Sequence, residues 1–327
     1  MSPAWQQRLL RAWYEGSPWL WLLRPVEALF RAVVSLRRWL FQAGLLSRYR
    51  APVPVVVVGN ITLGGTGKTP IVIALVEALT ARGQRVGVVS RGYGARGLSF
   101  PHLVSAGDAA TSSADEALLI AQRTGCPVAI GPDRSAAARL LLESHDVDLL
   151  VADDGLQHYA LVRDFEIAVI DYEQQLGNGF CLPAGPLREP ASRLASVDRV
   201  LYRGLEDEQQ GVVYRVEGLV NLADGDAARL GGGAVGPEVH GLAGIGQPGQ
   251  FFTTLESAGL SVERHIFPDH HAFSASDLTA LADKPVIMTE KDAVKCEPFA
   301  TAAHWYLKIS AELPAELVQR VHALTAR

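Results

Sequence analysis

Residues 60–70 read NITLGGTGKTP and combine glycines, a lysine and a threonine in an order that suits phosphate binding. A loop that holds a triphosphate needs glycines that let backbone N–H groups approach the phosphates, with a helix N-terminus behind them. Lys68 can reach the β- and γ-phosphates, and Thr69 can offer its hydroxyl to Mg²⁺. The predicted nucleotide-binding residues are Thr62, Gly64, Gly65, Thr66, Gly67, Lys68 and Thr69.

The match to the usual phosphate-binding pattern is imperfect, because that pattern has glycine where this sequence has Thr62. The alternative is a glycine-rich turn between a strand and a helix that binds nothing. The flanking residues favour the binding interpretation. An apolar strand pattern precedes the loop, Pro70 suits a first helical turn, and a helix pattern then runs to Gly83.

Two aspartates supply the kind of oxygen ligand that Mg²⁺ needs. In VDLLVADDGLQH, residues 147–158, an apolar strand pattern ends at Asp153 and Asp154. Enzymes with this type of loop place a carboxylate at the end of a strand beside the loop. The alternative is a surface Asp-Asp-Gly turn. We favour the metal-side interpretation because the phosphate-binding loop is present.

Other candidate residues have competing structural explanations. Ser113 and Glu116 are spaced as a capping box, which explains Glu116 without a function. Asp115 could be a surface acid favoured by the helix dipole or a site residue. Asp269 and His270 lie with His271 in one predicted loop, and adjacent groups alone do not make a metal site. A solvated loop histidine is the usual alternative.

Strands that alternate with helices must position these side chains. The segment RVGVVSRGYG, residues 85–94, is a predicted strand that ends in Ser90 and Arg91, where the ligand edge of a parallel sheet lies. The alternation predicts an α/β fold with a P-loop NTPase-like, doubly wound, mostly parallel sheet. A smaller α/β unit begins near residue 205. Residues 178–190, with Arg188 and Glu189, form a proline-rich loop that is structural or functional.

Composition bounds the remaining possibilities. The 327 residues are 48% apolar with a net charge of −5, which is enough to bury a core in two domains. Residues 1–50 hold eight arginines and two glutamates, a charge of +6, which leaves −11 for the rest. The three cysteines are far apart and form no CxxC pair, which argues for a reducing compartment and against disulfides or a zinc site.

The first fifty residues predict attachment to a membrane surface. They contain five of the six tryptophans, and their apolar runs are too short to span a bilayer. Between Arg24 and Arg38 the polar residues recur at helical spacing and leave apolar residues for the other faces. Such a helix can lie in the interface of an anionic membrane. The alternative is an amphipathic helix docked on its own domain.

At this point the motifs resemble the tetraacyldisaccharide 4′-kinases, a family that phosphorylates a lipid A precursor. The matching stretches are VVVVGNITLGGTGKTP, VGVVSRGYG, ADEALLIAQRT, DDGLQHYAL, LPAGPLRE, FPDHH and MTEKDAVKC, in order over residues 55–296. Members share the loop without its first glycine. Membrane-cycling partition ATPases have a signature lysine where this chain has Leu63, which weighs against that class.

The resemblance implies roles for individual residues. It implies that Lys68 and Thr69 bind phosphate and Mg²⁺, and that Asp115 is a catalytic aspartate paired with His270. One departure is Ala114, where the family often has glycine. The implied metal-side carboxylates are Asp153 and Asp154, with Glu189 assisting; further positions near the site are Ser90, Arg91, Gln157, His158 and Arg188.

The resemblance also implies an activity and an organisation. We expect transfer of the γ-phosphate of ATP to an acylated disaccharide phosphate in lipopolysaccharide synthesis, at the cytoplasmic face of the inner membrane, with no nucleic acid and no obligate protein partner. The expected units are membrane-associating helices in 1–50, a kinase domain in 51–205 and a smaller domain in 206–327 that supplies His270 and closes on the substrate. The alternatives are a nucleotide-switched membrane ATPase and a soluble P-loop ligase or kinase.

Overall fold

The computed structural model describes residues 4–64, 67–95, 97–105, 108 and 114–326. Gly65 and Thr66 of the predicted nucleotide-binding set lie outside these residues. Ser113 does too, and with it the predicted capping box.

The N-terminal segment is helical. Helix α1 spans Ala4–Glu15, a 3₁₀ helix spans Pro18–Leu23, and α2 spans Arg24–Gln42. The next elements alternate as the sequence predicts: β1 Val55–Gly59, α3 Lys68–Thr80, β2 Val86–Ser90, β3 His102–Val104, α4 Asp115–Thr124, β4 Val128–Ile130, α5 Arg134–Ser144, β5 Leu149–Asp153, β6 Phe165–Asp171 and β7 Arg199–Arg203.

The second half continues with strands and shorter helices. They are β8 Gly211–Asn221, β9 Ala227–Ala228, β10 Glu238–Ala243, α6 Gly249–Ser257, β11 Ser261–Ile266, α7 Ala275–Thr279, β12 Val286–Thr289, α8 Glu290–Cys296, β13 His304–Glu312 and α9 Ala315–His322. Short 3₁₀ helices at Ala191–Ser196, Glu297–Phe299 and Ala323–Ala326 complete the described elements.

The described strands join in one continuous sheet. Its order is β11-β10-β12-β13-β8-β7-β6-β1-β5-β2-β4-β3, with β9 beside β8. Pairings are parallel except β3 with β4, β8 with β13 and β8 with β9. The predicted α/β fold with a mostly parallel sheet is confirmed. Strand β8 pairs with β7 at its start and with β13 along its length, and the domain boundary at residue 205 stays a prediction.

Strand β1 lies at the centre of the sheet and has helices on both faces. Val56 and Val58 contact a core that contains the buried side of α3, whereas Val55 and Val57 contact a second core that contains α5. Successive strand residues point to opposite faces, so a fully apolar strand is what this position requires. The phosphate-binding loop therefore follows a strand that is buried on both faces.

Helix α9 falls within the predicted smaller domain of residues 206–327, but it packs against the helix that follows the phosphate-binding loop. Its Leu317, Val318 and Val321 are buried in the core that also contains α3. Helix α3 is apolar on nearly all sides and needs covering beyond its contact with the sheet. The C-terminus therefore stabilises the helix that follows the phosphate-binding loop.

Helix α2 is docked by the side that carries Glu27, Phe30 and Phe41. Glu27 is buried, accepts a hydrogen bond from the Cys181 backbone N–H at 3.2 Å, and lies 3.5 Å from Arg24 and 3.8 Å from Arg31. The opposite side of α2 and the preceding 3₁₀ helix carry exposed apolar side chains. These form the N-terminal apolar surface: Trp19, Trp21, Leu22, Val26, Leu29, Val33, Leu36 and Trp39. None of the described helices is long and apolar enough to cross a membrane.

Candidate active site

The phosphate-binding loop connects β1 to α3 at the centre of the sheet. Gly67 precedes the helix in the left-handed conformation, at φ 69°. A Cβ atom there would lie 2.7 Å from the Tyr214 hydroxyl oxygen, which donates a hydrogen bond to the Gly67 carbonyl. Lys68 and Thr69 open the helix and line a cavity. The predicted strand, loop and helix are therefore present in the order that phosphate binding needs.

Thr62 is buried beneath this loop. Its backbone pairs with Leu187 in an antiparallel bridge, and its hydroxyl accepts a hydrogen bond from Asn60 at 3.3 Å. The neighbouring Leu63 N–H donates to the Pro186 carbonyl at 2.7 Å. Residues 181–189 thus brace the first half of the loop, and a direct contact of Thr62 with a nucleotide stays a prediction.

A cavity of about 1090 Å³ extends from the phosphate-binding loop to the segment that follows β10 and begins α6. Its lining includes Gly64, Gly67, Lys68 and Thr69 on one side and Gln247, Gln250 and Phe251 on the other. The predicted residues that line it are Gly64, Gly67, Lys68, Thr69, Ser90, Arg91, Asp153, Asp154, Gln157, His158, Arg188 and His270. The structure thus brings most of the predicted site together around one space.

Asp153 and Asp154 lie at the end of β5, beside β1, but in different electrostatic surroundings. Asp153 is buried and accepts a hydrogen bond from Ser90 Oγ at 3.2 Å. Burial, together with the charge of Glu116, raises the pKa of Asp153 well above its usual range. Asp154 lies 3.3 Å from Lys68 Nζ and 3.0 Å from Arg188. Although burial opposes it, these two cations lower the pKa of Asp154 to about 2.

Glu189 is not placed like the two aspartates. Its side chain is 1% exposed, and among the described residues it is not part of the cavity lining. Gln157 Nε2 donates to one of its oxygens at 2.9 Å, and the Tyr159 hydroxyl donates to the other. These hydrogen bonds from Gln157 and Tyr159 hold the segment of residues 181–189 in place. A metal-side role of Glu189 stays a prediction.

Asp115 and His270 are in contact although they are 155 residues apart. His270 Nδ1 lies 3.0 Å from one Asp115 carboxylate oxygen and 3.2 Å from the other. The Asp115 side chain is 5% exposed, and His270, Ala114 and Glu116 form the adjoining cavity wall. The pair is already assembled in this conformation, so the expected closure is not needed to bring the two residues together.

Charges around the pair favour an ionised aspartate. Burial would raise the pKa of Asp115, but the hydrogen bond from His270 and the charges of Lys291 and Lys295 outweigh it and lower that pKa. The hydrogen bond to Asp115 raises the pKa of His270 against the opposing effect of burial. The pair therefore favours an ionised Asp115 that accepts a hydrogen bond from His270.

Three active-site residues have backbone conformations that favour glycine. Of the four described non-glycine residues with positive φ, Ala114 (66°), Asp154 (48°) and His270 (58°) lie at this cavity. Such conformations cost an ordinary residue roughly 1–2 kcal/mol. The value at Ala114 gives a physical reason for glycine at this position in the resembling family. Strain of this kind concentrates at functional sites, which supports the assignment of the cavity.

Several residues that surround the pair were not predicted as site residues. Lys291 Nζ lies 3.9 Å from Asp115 and Lys295 Nζ lies 3.8 Å from it. The Tyr93 ring contacts the His270 ring, with centroids 5.0 Å apart. A signal was available, because lysines four positions apart in EKDAVKC share one face of a helix.

The remaining predicted residues support the cavity wall. Gln157 Nε2 also donates to the Asn60 carbonyl at 3.1 Å. Burial and the charge of Arg134 lower the pKa of His158 to about 4, so this ring is neutral at physiological pH. Arg91 lies on the rim as an exposed cation.

Comparisons with known proteins agree over nearly the whole chain. The family described as tetraacyldisaccharide-1-P 4′-kinase matches residues 19–326. The tetraacyldisaccharide 4′-kinase of Pseudomonas paraeruginosa is 53% identical over 311 residues, which cover 94% of each chain. The Azotobacter vinelandii protein of the same name is 53% identical over 307 residues, covering 93% of this chain and 92% of its own.

A solved structure is also similar. The crystal structure described as the "apo" form of LpxK from Aquifex aeolicus in complex with ATP matches with a TM-score of 0.77 and 26% sequence identity. The match covers 94% of this chain and 98% of that chain.

Proposed function

Because the chain belongs to the tetraacyldisaccharide-1-P 4′-kinase family, we infer that it transfers the γ-phosphate of ATP to the 4′-hydroxyl of a tetraacyldisaccharide 1-phosphate in lipid A biosynthesis. The observation that supports this best is the Asp115–His270 pair at the wall of the cavity that Lys68 and Thr69 also line. A nucleotide switch needs the phosphate-binding loop but has no use for this pair. The direct test is transfer of label from γ-labelled ATP to the lipid.

The triphosphate belongs at the N-terminus of α3. Backbone N–H groups and the helix dipole favour negative charge there, and Lys68 extends that positive region into the cavity. In this conformation Lys68 lies beside Asp154, which also contacts Arg188. Asp154 therefore positions the lysine beside the phosphates. When the lysine turns to ATP, Arg188 remains as a cation next to Asp154.

The residues at the end of β5 fit a magnesium ion. Asp153 is a buried carboxylate with the Ser90 hydroxyl as its hydrogen-bond donor. Burial and the charge of Glu116 raise its pKa, and a bound cation would favour its ionised form. Thr69 offers a hydroxyl oxygen across the same cavity. We propose that Asp153 and Thr69 hold Mg²⁺, with Asp154 beside them. When bound, the ion supplies neutralisation of charge on the β- and γ-phosphates.

Asp115 is proposed to accept the proton of the attacking sugar hydroxyl, with His270 fixing its orientation. Phosphoryl transfer has a loose transition state, so the hydroxyl loses its proton late and a carboxylate suffices. Lys291 and Lys295 keep that carboxylate ionised, since both lie within 4 Å of Asp115. The proton stays on one carboxylate oxygen of Asp115, while His270 Nδ1–H keeps its hydrogen bond to the other oxygen.

The proposed base makes the pH profile of His270→Gln informative. Activity falls as pH drops through the pKa of a general base, because the base must be deprotonated. His270 lowers the pKa of Asp115, whereas burial raises it. We therefore expect the acid limb of the kcat/KM profile to move to higher pH in His270→Gln. An acid limb at the same pH in His270→Gln as in wild type would show that this limb does not report the ionisation of the Asp115–His270 pair.

We propose that the chain associates peripherally with the cytoplasmic side of the inner membrane through the N-terminal apolar surface. Helix α2 exposes Leu29, Val33 and Leu36 on the side opposite the buried Glu27, so these apolar side chains do not cover the protein's own core. Tryptophans at 19, 21 and 39 suit the headgroup level, and the arginines between them suit anionic lipid. An enzyme placed there could reach a lipid whose acyl chains remain in the bilayer.

This surface gives a prediction for vesicle binding. The triple substitution Leu29→Ser, Val33→Ser and Leu36→Ser removes apolar area worth roughly 1 kcal/mol or more per side chain, so affinity should fall at least about tenfold. Co-sedimentation with vesicles that contain an anionic phospholipid measures it. The matched control, Leu29→Met, Val33→Ile and Leu36→Met, keeps the apolar area and should bind as wild type does. Equal binding of both triple variants would contradict the proposal.

A further inference from the structure

A cluster of metal-ligating side chains lies away from the phosphate-binding cavity, on strands β10 and β11. The two strands are parallel, with His240 opposite Glu263 and Leu242 opposite His265. Glu263 and His265 are two residues apart on β11, so their side chains share one face of the sheet with His240. Among the residues that the structure describes, these three form the one group of His, Cys, Asp or Glu with metal-site spacing.

The three ligand atoms form a compact triangle. His240 Nδ1 lies 3.0 Å from His265 Nε2 and 3.5 Å from a Glu263 carboxylate oxygen. His265 Nε2 lies 3.8 Å from the other Glu263 oxygen. Two nitrogen ligands at the usual zinc distance and a tetrahedral angle are roughly 3.3 Å apart. The triangle therefore fits around one small cation with little movement of the side chains.

An outer partner fixes the buried histidine. His240 is 3% exposed, and its Nε2 lies 2.8 Å from a carboxylate oxygen of Asp283, in the loop before β12. An N–H at Nε2 that donates to this carboxylate leaves a lone pair at Nδ1, which points at His265 and Glu263. Metal-binding histidines usually have this arrangement, because the outer carboxylate sets the tautomer and the orientation of the ring.

We propose that His240, Glu263 and His265 bind a divalent transition metal of the zinc class, oriented by Asp283. Two imidazoles and one carboxylate are the ligands that zinc and its neighbours prefer, and water completes the coordination. The widely spaced cysteines argue only against a site built on thiolates, and this site uses none. The proposal is independent of the proposed kinase activity.

The surrounding charges are compatible with a bound cation. Lys284 Nζ lies 3.3 Å from Glu263 and 3.8 Å from Glu238, so it keeps a carboxylate partner when Glu263 turns to a metal. The proton shared between His240 Nδ1 and His265 Nε2 gives way to the metal, and His265 then carries its proton on Nδ1.

A metal here would link the edge of the sheet to its neighbour. Strand β11 is the edge strand, and it runs directly into the loop that carries His270. Cross-linking β11 to β10 through the metal would restrain the strand from which that loop continues. The expected effect of metal on the protein is therefore a higher thermal midpoint, with ATP binding at α3 unchanged.

Titration of the tag-free, full-length chain with Co²⁺ tests the proposal. We expect one equivalent to bind with the strong visible absorption of a tetrahedral site, with no thiolate charge-transfer band, and Zn²⁺ to displace it. His265→Gln and Glu263→Gln should abolish this absorption. Asp283→Asn, which leaves the three ligands in place, should weaken binding about 10- to 100-fold. His145→Gln, an exposed histidine elsewhere, is the matched control and should bind as wild type does.

The outcomes are distinguishable. All variants change exposed or partly exposed side chains, and circular dichroism verifies their folding before titration. Binding that is equal in wild type and His265→Gln belongs to the carboxylates of the phosphate-binding cavity and overturns the proposal. Absence of saturable binding in wild type overturns it as well.

Discussion

Asp115→Asn is expected to lower kcat by about 10²- to 10⁴-fold, the usual contribution of a positioned general base. The amide has nearly the same shape as the carboxylate, so the contact with His270 and the start of α4 should persist. It cannot accept the proton of the sugar hydroxyl. The affinity for ATP should stay close to wild type, because the phosphate-binding loop lies on a different element. Steady-state kinetics and equilibrium nucleotide binding measure the two quantities.

The comparison with His270→Gln decides which member of the pair acts directly. Asp115 is 5% exposed and His270 is 24% exposed, so the histidine has more contact with the cavity. If Asp115 is the base, Asp115→Asn loses more activity than His270→Gln. A larger loss in His270→Gln would make the imidazole the proton acceptor and Asp115 its positioning residue. Asp146→Asn, an exposed carboxylate distant from the site, serves as the preparation control.

Lys68→Ala is expected to reduce kcat by about 10²- to 10³-fold, the usual cost of removing one preorganised donor at the transition state. Its ammonium is the cation that the loop presents to the β- and γ-phosphates, and a methyl group cannot replace it. The substitution also leaves Asp154 with Arg188 as its neighbouring cation. We therefore expect weaker ATP binding as well as slower turnover.

Arg82→Ala provides a matched control for charge. Arg82 follows the other end of α3, where it donates to the Ala78 carbonyl, so its removal takes one positive charge from the same helix region. Its kinetics should equal those of wild type. Normal turnover by Lys68→Ala, with a thermal midpoint close to wild type, would contradict the assignment of the phosphate-binding loop.

Much of the fold was predictable because it depends on local patterns. The apolar run of β1, the glycine loop and the all-apolar α3 require a central strand with helices on both faces. The position of α9 was not predictable, since an amphipathic pattern says that a helix docks but not where. The orientation of α2 could not be predicted for the same reason. Its pattern defines two faces, and the burial of Glu27 and Phe41 shows which one faces the protein.

Some site residues could likewise be located from local patterns in the sequence, whereas others depend on tertiary contacts. Asp153 and Asp154 could be located because they follow a strand beside the phosphate-binding loop. The contact between Asp115 and His270 spans 155 residues, and spacing alone could not predict it; the family resemblance did. The environment of Glu189 was also out of reach, because its partners Gln157 and Tyr159 come from a separate turn. Side-chain direction within a loop depends on such tertiary contacts.

The most direct measurement is transfer of label from γ-labelled ATP to a tetraacyldisaccharide 1-phosphate in detergent micelles. Wild type should be assayed beside Lys68→Ala and Asp115→Asn. We expect a labelled lipid product with wild type, and losses of at least about 10²-fold in both variants. Label released only as free phosphate, at a rate indifferent to the lipid, would contradict the kinase assignment and favour a nucleotide-switched ATPase at the membrane.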